Sequence, residues 1–260
     1  MPVVAPPPAP RLLNAYRKAA KELNQTILLA DPKKPVVYLR RVVLVDIEEI
    51  TKQLEKETRT WLEEEVPKQY SEGSFRAISD CKARELVLNR TEFGQIHKEA
   101  VETLVEDAYL DFANGIEGVK RAGREFISEM VKLKINERIV VGVIKGEGVY
   151  KIKREVKKLV ENRGFTALID RGGKRWKIDR YAEMLVRTHI IKANNSGFVN
   201  RMLENGLELV EISHHASACP ICQPYEGKVF SLTGNDKKHG KAPDLPIHPN
   251  CKHSFLPYLD

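Results

Sequence analysis

No apolar run in this sequence approaches the roughly 20 residues that a membrane-spanning helix requires, so no membrane partner is expected. The first ten residues carry neither a basic n-region nor an apolar h-region; no secretory signal is read there, and synthesis in a cytoplasm is expected. Four common active-site signatures are missing: G-x-S-x-G, G-x-x-x-x-G-K-[ST], H-E-x-x-H and G-x-G-x-x-G. Aromatic residues make up only 7% of the chain and hardly interleave with the basic stretches. Base stacking is therefore not expected, and any nucleic-acid contact would be made to phosphates. Cysteine is scarce too, with four in 260 residues.

Hydrophobic residues account for 42% of the chain and charged residues for 30%, enough for a real core with long solvated helices around it. The net charge of +7 is unevenly spread. From Asp46 to Asp111 there are 9 basic and 17 acidic side chains; from Glu117 to Arg201 there are 21 basic and 10 acidic. Such polarity suits a protein partner on one stretch and a polyanion on the other, and it equally suits two solvated helical surfaces.

Residues 1–10 are proline-rich and read as a flexible arm. Leu12, Leu13, Tyr16, Ala19, Ala20 and Leu23 recur at helical spacing until Asp31-Pro32 and Pro35 break the pattern. Residues 36–45 are β-branched and fit either a strand or a helix start. Asp46, with Glu49 three residues on, reads as the N-cap of a helix running to about Val66. Further helices are expected over 92–112, with Ile96, Val101, Leu104, Val105 and Ala108 inward, and over 117–133, 136–145 and 149–162. The last carries the densest basic patch, Lys151, Lys153, Arg154, Lys157 and Lys158, our candidate DNA-contact residues. From Gly164 the character changes. FTALID and KRWKID flank Arg171-Gly172-Gly173 as a strand–turn–strand. A helix over 180–193, a break at Asn194-Asn195-Ser196-Gly197, a second helical piece to Glu204 and a strand over 207–212 follow. The fold class is thus α+β: a mainly helical region (11–163) followed by a small α+β module (164–260) built around a Cys/His cluster.

Three of the four cysteines lie in the last 42 residues. Cys219-Pro220-Ile221-Cys222 is a turn that can aim two sulfurs at one ion, and His248-Pro249-Asn250-Cys251 repeats its spacing. With His253 the segment offers five donors for a four-coordinate zinc ion. Cys219, Cys222 and Cys251 are expected ligands, with His248 or His253 as the fourth. Three sulfurs and one nitrogen make a closed, structural site, because catalytic zinc keeps an open position. The competing reading has reduced cysteines in a small core and both histidines bonded to backbone. Cys81 is expected to be an ordinary half-buried thiol. A rival from another class is a zinc-dependent nuclease or hydrolase using His214, His215 and Glu226. Three thiolates offset most of the ion's charge and speak against it.

DRGGKRWKIDRYAEMLVRT (170–188), the Asn-rich stretch at 194–197, LELVEIS (207–213), CPIC (219–222), YEGKVFSLTG (225–234) and LPIHPNCKHSFLPY (245–258) follow in order. Together they resemble the phage minor capsid proteins, which are related in their C-terminal part to the Mu F type head-morphogenesis proteins. The resemblance covers about 164–260. It implies a non-enzymatic virion protein of low copy number at the portal vertex, aiding procapsid assembly and DNA packaging or ejection. Portal and other capsid proteins would be its partners, together with double-stranded DNA held non-specifically. Mu F type proteins often carry a cysteine where this chain has His253, which favours that histidine as a ligand.

Overall fold

A computed structural model describes residues 9–29, 36–132, 151, 154, 167–170, 172–215, 219–249 and 251–259. Among the described residues four long helices dominate: α1 (Pro10–Leu29), α2 (Val36–Lys82), α3 (Gln95–Lys132) and α4 (Ile178–Glu204). Two small antiparallel sheets complete the α+β architecture. One is the hairpin of β1 (Ala167–Ile169) and β2 (Arg175–Lys177). The other has the order β4-β3-β5, from β3 (Leu209–Ile212), β4 (Val229–Ser231) and β5 (Phe255–Pro257). Among the described residues no helix is long and apolar enough to cross a membrane.

The chain forms two compact units of interleaved segments. One is built chiefly from Thr60–Tyr109 and Met184–Asp260, the other from Pro10–Arg59 and Leu110–Glu183.

In the second unit Leu12, Tyr16, Ala19 and Leu23 are all buried, as their spacing predicts. The Tyr16 ring lies 6.1 Å from that of Phe112, and its hydroxyl pairs with Thr58 at 3.4 Å. The ambiguous residues 36–45 are helical, and Asp46 lies inside α2 rather than capping it. The reason is burial: Val43, Ile47 and Leu54 continue one inward stripe, and Thr51 and Thr58 return their hydroxyls to the carbonyls of Ile47 and Leu54. The expected hairpin forms. Gly173, at φ +80°, makes its turn, and Asp170 accepts hydrogen bonds from Lys174 N and Trp176 Nε1, both at 2.9 Å. These bonds, with the Trp176 contribution first, hold the Asp170 carboxyl below its ordinary pKa.

Three further helix boundaries differ from the sequence reading. Pro67 lies inside α2, which runs past Val66 to Lys82 because Tyr70, Ala77 and Cys81 keep burying its inner face. Proline removes one donor, and the apolar stripe outweighs that loss. The expected helices 92–112 and 117–133 are the single helix α3; Gly115 permits close approach there, since a Cβ would stand 2.7 Å from the Tyr181 ring. Ile96 is 57% exposed rather than inward, and His97 takes the buried position beside it. The Asn-rich break at 194–197 is absent, and α4 is continuous. Its physical account is in the first unit. A Cβ on Gly197 would overlap the Tyr70 carbonyl, and one on Gly73 would overlap that of Asn194, so α2 and α4 cross through glycines. Asn194 accepts from Arg76, while Asn195 donates to the Ile191 and His253 carbonyls. The residues that read as a break serve as the helix contact. The expected helices over 136–145 and 149–162 lie outside the described residues, apart from helical Lys151 and Arg154.

Ala77, Cys81, Phe198, Met202, Val210, Ile212, Leu245 and Phe255 form the core of the first unit. Cys81 is fully buried, not half-buried; its sulfur lies 3.5 Å from Met202 Sδ, and burial pushes its pKa up to about 11. Edge strand β5 is covered by side chains. Asn195 Oδ1 accepts from Phe255 N at 3.3 Å, and Arg76 donates to Phe255 O at 2.8 Å. The ladder groups of Phe255 are thus satisfied without another strand.

Candidate metal centre

The three-stranded sheet brings the cysteine segments together. β3 pairs with β5 through Ile212↔Phe255, and Ser213 N extends the pairing to Ser254 O at 3.0 Å. The CPIC turn follows β3, and the HPNCKH segment leads into β5. Cys222 N donates to Cys219 O at 3.0 Å, which closes the first turn. A short 3₁₀ helix, Gln223–Tyr225, then delivers Glu226 beneath the cluster.

The donors form two triads that share Cys222: Cys219, Cys222 and His248, and Cys222, Cys251 and His253. The Cys219 and Cys222 sulfurs are 3.6 Å apart, and those of Cys222 and Cys251 3.9 Å. A tetrahedral zinc ion with sulfur at about 2.3 Å has an S–S edge of about 3.8 Å, which these separations bracket. His253 Nδ1 lies 3.4 Å from Cys251 Sγ, near the S–N edge of about 3.6 Å. His248 Nε2 stands closer to its sulfurs, 3.1 Å from Cys219 and 2.9 Å from Cys222. Seating an ion would move that imidazole outward by about 0.5 Å. Each triad, in its donor types and spacing, fits a metal ion of zinc type.

Burial raises the Cys222 thiol to about 12, while the Cys222 backbone N–H lowers the pKa of Cys219. Glu226, which the sequence offers only as a base for the enzymatic alternative, is engaged by neighbouring residues. Its Oε1 accepts from His253 Nε2 at 2.7 Å and from His215 N at 2.9 Å. The His253 bond is the main reason its carboxyl is held below the usual range. His214 is exposed, with Nδ1 4.0 Å from Glu226 Oε2. Burial lowers the pKa of His215, whose ring meets that of His253 edge-on at 4.6 Å. No sequence signal announces the pairing of Glu226 with His253, because it depends on the register that sets β5 against β3.

Of the basic patch, Lys151 and Arg154 are exposed on helical backbone; Lys153, Lys157 and Lys158 lie outside the described residues.

The fold and this cluster define a helical protein with a small sheet module around sulfur and imidazole donors. The Phage minor capsid protein 2 family matches residues 35–260, and the chain belongs to that family. Membership puts it among the structural proteins of phage particles. It is also similar to a protein named Structural protein from Lactococcus phage LL-H, 25% identical over 107 residues. That alignment covers 36% of this chain and only 29% of the relative's length. No solved structure matches the chain.

Proposed function

We propose that the protein is a portal-associated minor capsid component. It is made in the host cytoplasm, built into the procapsid and carried in the virion at low copy, where it aids DNA packaging or ejection. The observation that carries this reading is the family match across 35–260, which spans α2 to α4 and the Cys/His module. The cluster serves as a structural zinc staple, with Cys219, Cys222 and Cys251 and one histidine as ligands. Zinc supplies cross-linking there and no chemistry, since three thiolates and an imidazole fill its tetrahedron. Engagement of the Glu226 carboxylate by His253 and His215 N supports a non-enzymatic role, because a general base needs a free carboxylate at an open metal position. Mass spectrometry of purified particles tests the assignment. The chain is expected in procapsids and virions at a small fraction of the major capsid protein. Its absence from both would overturn the reading.

Lys151, Lys153, Arg154, Lys157 and Lys158 are proposed to meet the packaged duplex through phosphates. With about five such contacts, affinity for duplexes of random sequence is expected to fall by roughly two to three decades between about 50 and 200 mM salt. Filter binding of the full chain measures this. A flat response would remove the DNA role.

A further inference from the structure

We infer that Cys219 is an oxidation site and Cys222 its resolving partner: a hydroperoxide joins the two sulfurs as a disulfide and so expels the ion from the cluster. The disulfide follows from the placement of the thiols alone. The release of metal rests on the zinc reading above.

Exposure sorts the four cysteines. Cys81 is fully buried against Met202, and Cys222 and Cys251 are 1% and 2% exposed. Cys219 alone of the four has partial access to solvent. An oxidant arriving from water therefore meets Cys219 first.

Distance then selects the second sulfur. Cys222 Sγ lies 3.6 Å from Cys219 Sγ, and the two residues share one turn, closed by the Cys222 N to Cys219 O bond. Their sulfurs must approach by about 1.6 Å to reach an S–S length of about 2.0 Å, and no segment has to slide past another. The rival pair, Cys222 and Cys251, stands 3.9 Å apart and joins two segments, one after β3 and one before β5. Both of its sulfurs are buried, so the oxidant has no first point of attack there.

The chemistry balances in two steps. The Cys219 thiolate attacks the terminal oxygen of the hydroperoxide, the O–O bond breaks, and the departing alkoxide takes a proton from solvent; Cys219 is then a sulfenic acid. The Cys222 thiolate attacks the Cys219 sulfur, the S–O bond breaks, and the departing hydroxide takes a second proton. Two thiolates, one hydroperoxide and two protons thus give a disulfide, an alcohol and a water. With hydrogen peroxide the alcohol is a second water. Two electrons pass from sulfur to oxygen, and zinc, which has no redox chemistry, keeps its charge.

The consequence lies in the sharing of Cys222. It belongs to both donor triads, so the disulfide takes a thiolate from each. Cys251 is left as the last thiolate of the cluster, whichever imidazole completes the set. The thiolate is the form of cysteine that ligates metal, and the ion leaves. The link between the ends of β3 and β5 then opens, and a dithiol reductant with zinc closes it again.

The zinc-loaded full chain, treated with a small excess of hydrogen peroxide, tests this. A chromogenic chelator reads free zinc, and peptide mapping reads the state of each sulfur. One zinc is expected to appear for each Cys219–Cys222 disulfide while Cys81 stays a thiol, and dithiothreitol with zinc should restore the bound metal. A Cys222–Cys251 disulfide, or a sulfinic acid at Cys219 with no disulfide, overturns the inference and leaves the zinc reading standing. Zinc that stays bound once the Cys219–Cys222 disulfide has formed overturns the release. A reduced chain that takes up no zinc yet forms that disulfide overturns the zinc reading and keeps the oxidation site.

Discussion

Serine at position 222 is expected to abolish stoichiometric zinc and to lower the melting temperature by roughly 10 °C, corresponding to about 4 kcal/mol for a chain of this size. Cys222 is the cysteine to choose because both donor triads include it and its side chain is 1% exposed. Exchanging sulfur for oxygen changes little volume, so a large effect reports lost coordination and not a cavity. The loss concentrates where the cluster staples chain to chain. The CPIC turn follows β3 and the HPNCKH segment precedes β5, and these strands are only three or four residues long. Sheets this short hold together poorly without a further constraint. Metal analysis and thermal unfolding of the full chain measure the two effects together. Equal zinc content in Cys222→Ser and wild type would sink the staple outright.

Arg201→Met is expected to cost about 3–5 kcal/mol, the range for breaking a buried charge pair from one side. Arg201 is 1% exposed, among the most deeply buried side chains of the first unit. Its Nε donates to Ser74 Oγ at 2.9 Å, and its Nη1 reaches Arg90 O and Glu92 O at 3.0 Å and Glu204 Oε2 at 2.8 Å. Glu204 also meets His97 Nε2 at 3.1 Å, and His97 Nδ1 meets the Tyr70 hydroxyl at 2.9 Å. Methionine leaves Glu204 without its guanidinium and strips donors from two carbonyls at once. Arg201→Lys should recover little, since a point ammonium cannot span a serine, two carbonyls and a carboxylate. Adding Glu204→Leu to Arg201→Met should restore part of the loss, because the stranded charge is then gone. Denaturant unfolding of the three variants reads these differences. A cost below about 1 kcal/mol for Arg201→Met would show the network to be dispensable.

Both effects belong to residues that local pattern treats unequally. The CPIC and HPNC spacings announce a donor cluster because a turn of four residues can itself aim two donors, and chemistry limits what such pairs do. Nothing comparable marks Arg201, which in sequence is one more cation of a basic stretch. Its partners come from α2, from the loop before α3 and from its own helix, and only packing brings them to one point. Glu226 is the same kind of case, since its carboxylate matters through a histidine 27 residues away.

Sequence alone determined the class of the fold, the inward stripe of α1, the Asp170–Gly173 hairpin, the cysteine-rich end and the resemblance to phage minor capsid proteins. Each follows from periodicity, from turn chemistry or from donor spacing, all of which act over a few residues or survive as ordered motifs. Tertiary structure alone decided the helix lengths and the true burial of Cys81, and it paired Glu226 with His253. Pro67, Gly115 and Asn194–Gly197 carry local preferences of about 1–3 kcal/mol against a continuing helix. Those preferences lose where the flanking residues bury apolar surface, or where absent side chains let two backbones meet.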